Sequence, residues 1–411
     1  MISLPDTIVD DADGAPWLGA RRAVAAARLA QVDPPDDSAE VWRYSPVRRL
    51  DLGRFGVVEA RRGEPEQLDP GEAAARIELR NGQITGIGLR AGTAGLEVLA
   101  GRDHDAAAVT LPDGDEFVAL LAETVAGDPV HVRVAPGAVI DGPIVIDHQI
   151  DRPELLTATV TAVTVGADAE VTIVERRRSH DDDGVVVPLL DIEVGDAARV
   201  QHIDAQLLGA QLWQLGQQRA RVGAQATLAM HQAALGGDYA RMRVDCQLVG
   251  RGATGNLSAV SFGSGQQTLD FRTFQDHVGA DTTSDLLFKG VVDDAARSIY
   301  SGLIRVRPDA RGTSAFQTNR NIKLADTAWA ESVPNLEIEN NDVRCSHAST
   351  VGPIDPDQRF YLESRGVPPA EADQLILAGF FDEVLARFPV KAVAAEVGDL
   401  LARRLDRVST S

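Results

Sequence analysis

The sequence predicts a mainly β fold: a parallel β-helix (β-solenoid) flanked by N-terminal and C-terminal α-helical regions. Three observations carry this. Val-Gly recurs at Val165-Gly166, Val194-Gly195, Val222-Gly223, Val249-Gly250 and Val278-Gly279, in steps of 29, 28, 27 and 29 residues. Between these marks the residues alternate or are β-branched, as in Val171–Val174, Val185–Val187, Arg241–Val244 and Ile304–Val306, which is strand patterning broken by turns. Outside the repeat the character changes to helical periodicity. A fixed period of this length marks a repeat architecture, and a unit of about two strands stacked on its neighbours is a solenoid.

Taken in chain order, residues 1–128 read as a helical and mixed α/β region, 129–353 as the β-helix and 354–411 as a helical domain. Pro16–Val32 is alanine-rich with leucines and arginines and predicts a helix ended by Asp33-Pro34-Pro35. Ala73–Ala126 mixes short strands with a helix near Glu116–Thr124. Ala135–Ala138 fits one repeat step before the first mark. Glycine at each mark is expected to supply the turn that a β-carbon would hinder. After the repeat, Asp355-Pro356 offers an N-cap and a proline at the first helical position. Pro368-Pro369-Ala370 opens a second helix, with Leu375, Ile376, Phe380, Val384 and Leu385 on one face. Val390–Val408 is a third, ending in basic residues suited to a helix C-terminus. The helical flanks are expected to cap the solenoid, whose terminal coils otherwise leave open strand edges.

Composition narrows the function. The 411-residue chain carries a net charge of −21, and with no basic stripe to offset it a nucleic-acid partner is not expected. Two cysteines, Cys246 and Cys345, are too few for a disulfide framework or a self-contained four-cysteine cluster. The start lacks a signal-peptide pattern and no window reaches transmembrane length, so no membrane association and a soluble cytoplasmic location are expected.

Most chemical motifs have a plain structural reading. Gly250-Arg251-Gly252-Ala253-Thr254-Gly255 matches G-x-G-x-x-G, but it sits on a repeat mark within strand sequence rather than between a strand and a helix. A solenoid turn is expected there. No G-x-x-x-x-G-K-[ST] loop occurs, so no nucleotide site is expected, and no G-x-S-x-G elbow supports a hydrolase. His104, His131, His148, His180, His202 and His231 are scattered singly, as ordinary surface or packed histidines are. Cys246 lies in an alternating run and is expected to pack as a buried thiol. Cys345 and His347 differ. In a strand, positions two apart face the same side, roughly 6.5–7 Å from each other, so a thiolate and an imidazole reach one metal. Two ligands do not close a tetrahedral site, and the rest would come from elsewhere, such as a second subunit.

The same region carries a family resemblance. Val343–Gly352 (VRCSHASTVG), Phe360-Tyr361-Leu362 and Ser364-Arg365-Gly366 resemble the SufB/SufD family. Asp276-His277, Thr283-Ser284-Asp285, Lys289-Gly290, Gln317–Asn321 and Pro334–Ile338 fit as well, and Glu40–Tyr44 resembles its SufD branch. SufB-like chains carry a cysteine in the stretch matching Gln317–Asn321 and a glutamate beside the histidine. This chain has neither, which favours SufD. The resemblance implies a right-handed β-helix acting as a non-catalytic scaffold in iron–sulfur cluster assembly. It implies pairing with a SufB-like subunit through the end of the β-helix and docking of a SufC-like ATPase on the C-terminal helices. Leu375, Ile376, Phe380 and Val384 are then the partner-binding face. His347, and with it Cys345, becomes a candidate ligand for a transient iron–sulfur cluster shared with the partner, supplied indirectly by a cysteine desulfurase. Two rival readings are a β-helix carbohydrate-active enzyme, which would want a signal peptide and an acidic or basic solenoid face, and a purely structural homo-oligomer.

Overall fold

The structure is a computed structural model that describes residues 16–58, 64–100 and 117–408. His104 and Glu116 lie outside the described residues. Helix α1 (Pro16–Leu29) is followed by β1 (Gly56–Val57), β2 (Glu66–Gln67), β3 (Ala75–Arg80), β4 (Gln83–Leu89), β5 (Leu96–Ala100) and α2 (Phe117–Val125). Strands then alternate between two sheets. One sheet receives β6 (Val130–Val134), β8 (Leu155–Val165), β10 (Gly184–Val194), β12 (Leu212–Val222), β14 (Tyr239–Leu248), β16 (Thr268–His277), β18 (Arg297–Val306) and β20 (Trp329–Ile338). The other receives β7 (Ile144–Ile150), β9 (Glu170–Ser179), β11 (Arg199–Leu207), β13 (Thr227–Ala234), β15 (Thr254–Gly263), β17 (Thr283–Val292), β19 (Thr313–Lys323) and β21 (Val343–Gly352). We call them sheets A and B. Every neighbouring pair from β6 onward is parallel. The result is the expected parallel β-solenoid, of about eight turns.

One corner repeats at each coil. Gly137, Asp168, Ala197, Gln225, Gly252 and Asp281 all hold positive φ, between 56° and 72°. Each donates its N–H to the next coil, as Asp168 N does to Asp196 O and Gln225 N to Arg251 O. This corrects the expected role of the mark glycines. The left-handed residue stands two positions after the mark and is usually not glycine. Gly166, Gly195, Gly223, Gly250 and Gly279 are needed because coils approach closely there: a Cβ on Gly250 would lie 2.0 Å from Ala224 N, and one on Gly166 2.5 Å from Pro136 N. The marks also shift once. Val165, Val194 and Val222 stack in register, but Val222 then faces Leu248, with Val249 and Gly250 both donating to Val222 O. One inserted residue moves the last two marks by a position.

Helices cover the outer faces. The outer side of sheet A packs Leu156, Val185, Leu189, Trp213 and Leu215 under α2 and the Trp42–Phe55 segment. The outer side of sheet B packs Val174, Ile203, Val260, Phe262 and Leu287 under α4 (Pro369–Leu385) and α5 (Lys391–Val408). Before them in the chain comes α3 (Pro356–Ser364), whose N-cap Asp355 accepts from the N–H groups of Asp357 and Gln358, as Asp-Pro predicted. No helix among the described residues is long and apolar enough to cross a membrane.

Candidate functional site at the open end of the solenoid

The two ends of the stack are built differently. At the N-terminal end the ladders turn antiparallel, β3 against β4 and β5 against β6, and α2 packs alongside. At the C-terminal end β20 pairs only with β18 and β21 only with β19. The far edges of both strands carry no neighbour among the described residues. Burial follows: inward residues of β19 are covered, whereas β20 is half-buried and β21 mostly exposed.

Cys345 and His347 sit on this last strand. Their ladder partners are Ala315 and Gln317, which are 0% and 1% exposed and point into the lumen. Parallel pairing keeps side chains on one side, so Cys345 and His347 share a side, as their spacing predicted, and through Ala315 and Gln317 that side is the lumen side. Cys345 touches the small apolar cluster of Ile304, Val306, Ala310 and Ala315, and burial raises its thiol pKa. His347 is exposed. No group of three or more His, Cys, Asp or Glu side chains poised to hold a metal occurs among the described residues.

The lumen beneath the pair is polar. Gln317 and Gln275 are 1% and 0% exposed, and both amide atoms of each are buried without a partner. Asn321 Nδ2 donates to Asn319 Oδ1 at 2.7 Å, and Ser298 Oγ donates to Asn321 Oδ1 at 3.0 Å. Gln317 belongs to a stretch that the resemblance singled out, but its place under His347 needed the ladder register. Deeper in, a second polar region is tightly paired. Arg177 bonds Asp204 and Glu175, Gln218 donates to Asp204 Oδ2 (2.6 Å), and Thr161 donates to Glu175 Oε1 (2.5 Å).

Other singled-out residues are structural. His277 is fully buried between Thr282 Oγ1 (2.8 Å) and Ser284 Oγ (3.0 Å), and burial lowers its pKa to about 4. His231 bonds Ser258 Oγ (2.8 Å) and Gln201 Oε1 (3.1 Å), and burial lowers its pKa likewise to about 4. His131, His148 and His202 are buried, and His180 is exposed in a loop. Cys246 is a packed thiol, pushed up to about 12 by burial. Gly250–Gly255 forms the corner from β14 into β15, with no helix after it.

The predicted partner face on α4 divides. Leu375 is 51% exposed, and Ile376 and Phe380 are half-buried. Val384 is 0% exposed, packed with Leu377, Phe381 and Leu385 against sheet B, and offers nothing to a partner on this fold. Phe380 is also engaged: Lys289 Nζ, from β17, lies 4.6 Å from its ring and donates to its carbonyl oxygen. The sequence reading did not include α3 in the partner face, yet α3 buries no residue and exposes Phe360 (71%) and Tyr361 (58%). Consecutive aromatics on a short polar helix were the available signal.

Residues 148–380 match the SUF system FeS cluster assembly, SufBD core domain. An iron–sulfur cluster assembly SufBD family protein of Mycobacterium tuberculosis (strain ATCC 25618 / H37Rv) is 30% identical over 382 residues, 90% of this chain and 89% of that one. The iron–sulfur cluster assembly protein SufD of Escherichia coli (strain K12) is 27% identical over 389 residues, 92% and 91% of the two chains. SufD of Bacillus subtilis (strain 168) is 34% identical over 158 residues, 38% of this chain and 36% of that one. The chain belongs to the SufB/SufD family of iron–sulfur cluster assembly proteins, on its SufD branch.

Proposed function

We propose that this chain is a SufD-type, non-catalytic scaffold subunit that pairs through the open end of its solenoid with a SufB-like subunit. A transient iron–sulfur cluster is the cargo built at that junction. The observation that carries this reading is the pair Cys345 and His347 on a terminal strand whose outer edge is unpaired. Free N–H and C=O groups along such an edge pair readily with a second chain. Neutral imidazole is a competent iron ligand, and mixed Cys/His ligation suits iron–sulfur clusters. One exposed imidazole completes a site whose remaining thiolates belong to the partner.

A SufC-like ATPase docks on the C-terminal helices, at the surface of Leu375, Phe360 and Tyr361. The sequence holds no phosphate-binding loop of its own, in keeping with an ATPase supplied in trans. Sulfur reaches the complex from a cysteine desulfurase, in the cytoplasm. The rival carbohydrate-active reading has no comparable support, because the residues gathered at the open end are a thiol, an imidazole and amides rather than paired carboxylates.

The test is co-purification with SufB-like and SufC-like partners, followed by anaerobic spectroscopy. His347→Ala is expected to lower cluster yield while the complex stays assembled, and Cys345→Ser to have the smaller effect. A His347→Ala complex that matures clusters at the unmodified rate would make His347 structural and sink this reading.

A further inference from the structure

A cavity of about 400 Å³ lies on the outer face of sheet A, and neither Cys345 nor His347 lines it. The N-terminal segment Glu40-Val41 covers it on one side. Its walls come from β14, β16, β18 and β20: Phe274 and Leu303 supply apolar surface, with Arg241, Arg243 and Arg272 beside them. A recess of that size, mostly apolar with a few convergent polar groups, has the form of a small-molecule site.

The charge balance of the wall is unusual. Arg272 is matched by Asp270, with Nε to Oδ1 at 2.6 Å and Nη2 to Oδ2 at 3.2 Å. Asp270 Oδ2 also accepts from Ser45 Oγ (2.8 Å) and Tyr239 Oη (2.9 Å), so that carboxylate is fully engaged. Arg243 donates to Asp245 Oδ1 from Nε and Nη2. Arg241 is only 2% exposed and has no ion-pair partner among the described residues. Its guanidinium donates to Val41 O at 3.3 Å and lies 3.9 Å from the centre of the Trp42 ring, and its Nε–H is buried with no acceptor. A buried cation is ordinarily matched by a counter-charge, because desolvating it alone is costly. Glu337, which also lines the cavity, lies beside Arg305 (3.6 Å). Glu40 is exposed, where solvent screens it.

We infer that this cavity binds a small organic anion, a carboxylate or phosphate carried on an apolar body, with Arg241 as its principal charge partner. The anionic group meets the Arg241 fork, a geometry that suits carboxylate and phosphate oxygens. The apolar body lies on Phe274 and Leu303. The inference does not depend on the cluster-ligand reading, since neither Cys345 nor His347 lines the cavity, although its β20 wall is also an edge strand of the open end.

Isothermal titration of the full chain with phenyl phosphate, benzoate, inorganic phosphate and benzyl alcohol tests it. Phenyl phosphate or benzoate is expected to bind saturably, whichever is tighter identifying the anionic group, with inorganic phosphate weaker and benzyl alcohol weakest. Arg241→Gln should weaken binding by about tenfold or more, the scale of a lost charge-assisted hydrogen bond. Because Arg241 also holds the Trp42 segment, Ser301→Trp provides a second variant: it fills the cavity from a lining position and removes no charge. It should abolish binding while the thermal transition stays in place. No saturable binding by any of the anions overturns the inference, as do affinities unchanged in both variants. Protection of Glu40–Trp42 from hydrogen exchange by a SufB-like partner but by none of the anions also overturns it, in favour of a protein carboxylate as the occupant.

Discussion

The deep lumen and the open end of the same solenoid meet the same problem, polar side chains inside a β-stack, in opposite ways. Around β9 to β13 a set of charged and amide groups is matched, Arg177 to Asp204 and Glu175, Gln218 to Asp204, Gln232 Nε2 to Gln218 Oε1 at 2.6 Å, with the buried His148 and His202 rings 3.7–3.8 Å from Glu175. Toward the open end, Gln275 on β16 and Gln317 on β19 have no such partners among the described residues, and His347 on the last strand is exposed. The comparison separates polarity that serves the fold from polarity left for something outside the chain. A fully satisfied buried network rigidifies a core, whereas an unsatisfied one costs stability unless another component completes it.

The largest effect should come from breaking the closed network. Arg177 and Asp204 are each 1% exposed at the side chain, and removing one partner of a buried pair costs about 3–5 kcal/mol. Urea unfolding of Asp204→Ala should show a loss of that order. A loss below about 1 kcal/mol would mean that the network is not what it appears and would erase the contrast with the open end.

The interior should also be acid-sensitive. His231 and His277 hold pKa values of about 4 in the folded chain against an ordinary 6.5. Between those values the unfolded chain binds more protons, so stability falls as pH drops from about 6.5 and levels off near 4. Each group contributes at most about 3 kcal/mol across that window. Denaturant midpoints at pH 7, 5.5 and 4.5 should decline, and His277→Gln should flatten part of the decline. An unchanged slope in that variant would remove His277 from the account.

The C-terminal helices sharpen the comparison. Val384→Asp places a charge in the packed contact between α4 and sheet B and should destabilise by several kcal/mol (about 2–5), in line with other buried unpaired charges. Leu375→Asp is expected to stay within about 0.5 kcal/mol of the unmodified protein yet weaken ATPase docking. Equal stability losses in the two variants would show that α4 has no outward face of its own.

Smallest in stability should be the change at the open end. Ile338 and Val351 lie on the terminal strands and are 44% and 40% exposed. Ile338→Asp with Val351→Asp should cost at most about 1 kcal/mol, while association with a SufB-like subunit, read by size-exclusion chromatography, is lost. Intact association in the double variant would move the interface elsewhere.

Parts of this were legible in the residues. The Val-Gly spacing announced the coils, because each coil meets the same close approach to its neighbour and needs a residue without a side chain there. Asp355-Pro356 announced α3 through backbone chemistry confined to a few residues. The same side for Cys345 and His347 followed from the two-residue period of a strand. The partner face of α4 was not legible. Leu375 and Val384 both suit an apolar helical stripe, and only the line of contact with sheet B decides that one is exposed and the other is core. The turn conformation was also misplaced, since the left-handed corner is set by how the chain leaves the strand and falls two residues beyond the glycine.

Sequence alone therefore determined the repeat, the alternation of strands and the helical ends, because these rest on local sterics and on periods of two and 3.6 residues. Tertiary structure decided which strand is last, which amides lie under His347 and that Arg241 has no ion-pair partner among the described residues. Gln317 and His347 are 30 positions apart and Val41 and Arg241 are 200 apart. Their juxtaposition follows from how coils stack and where the chain crosses a sheet face, and no local pattern encodes either.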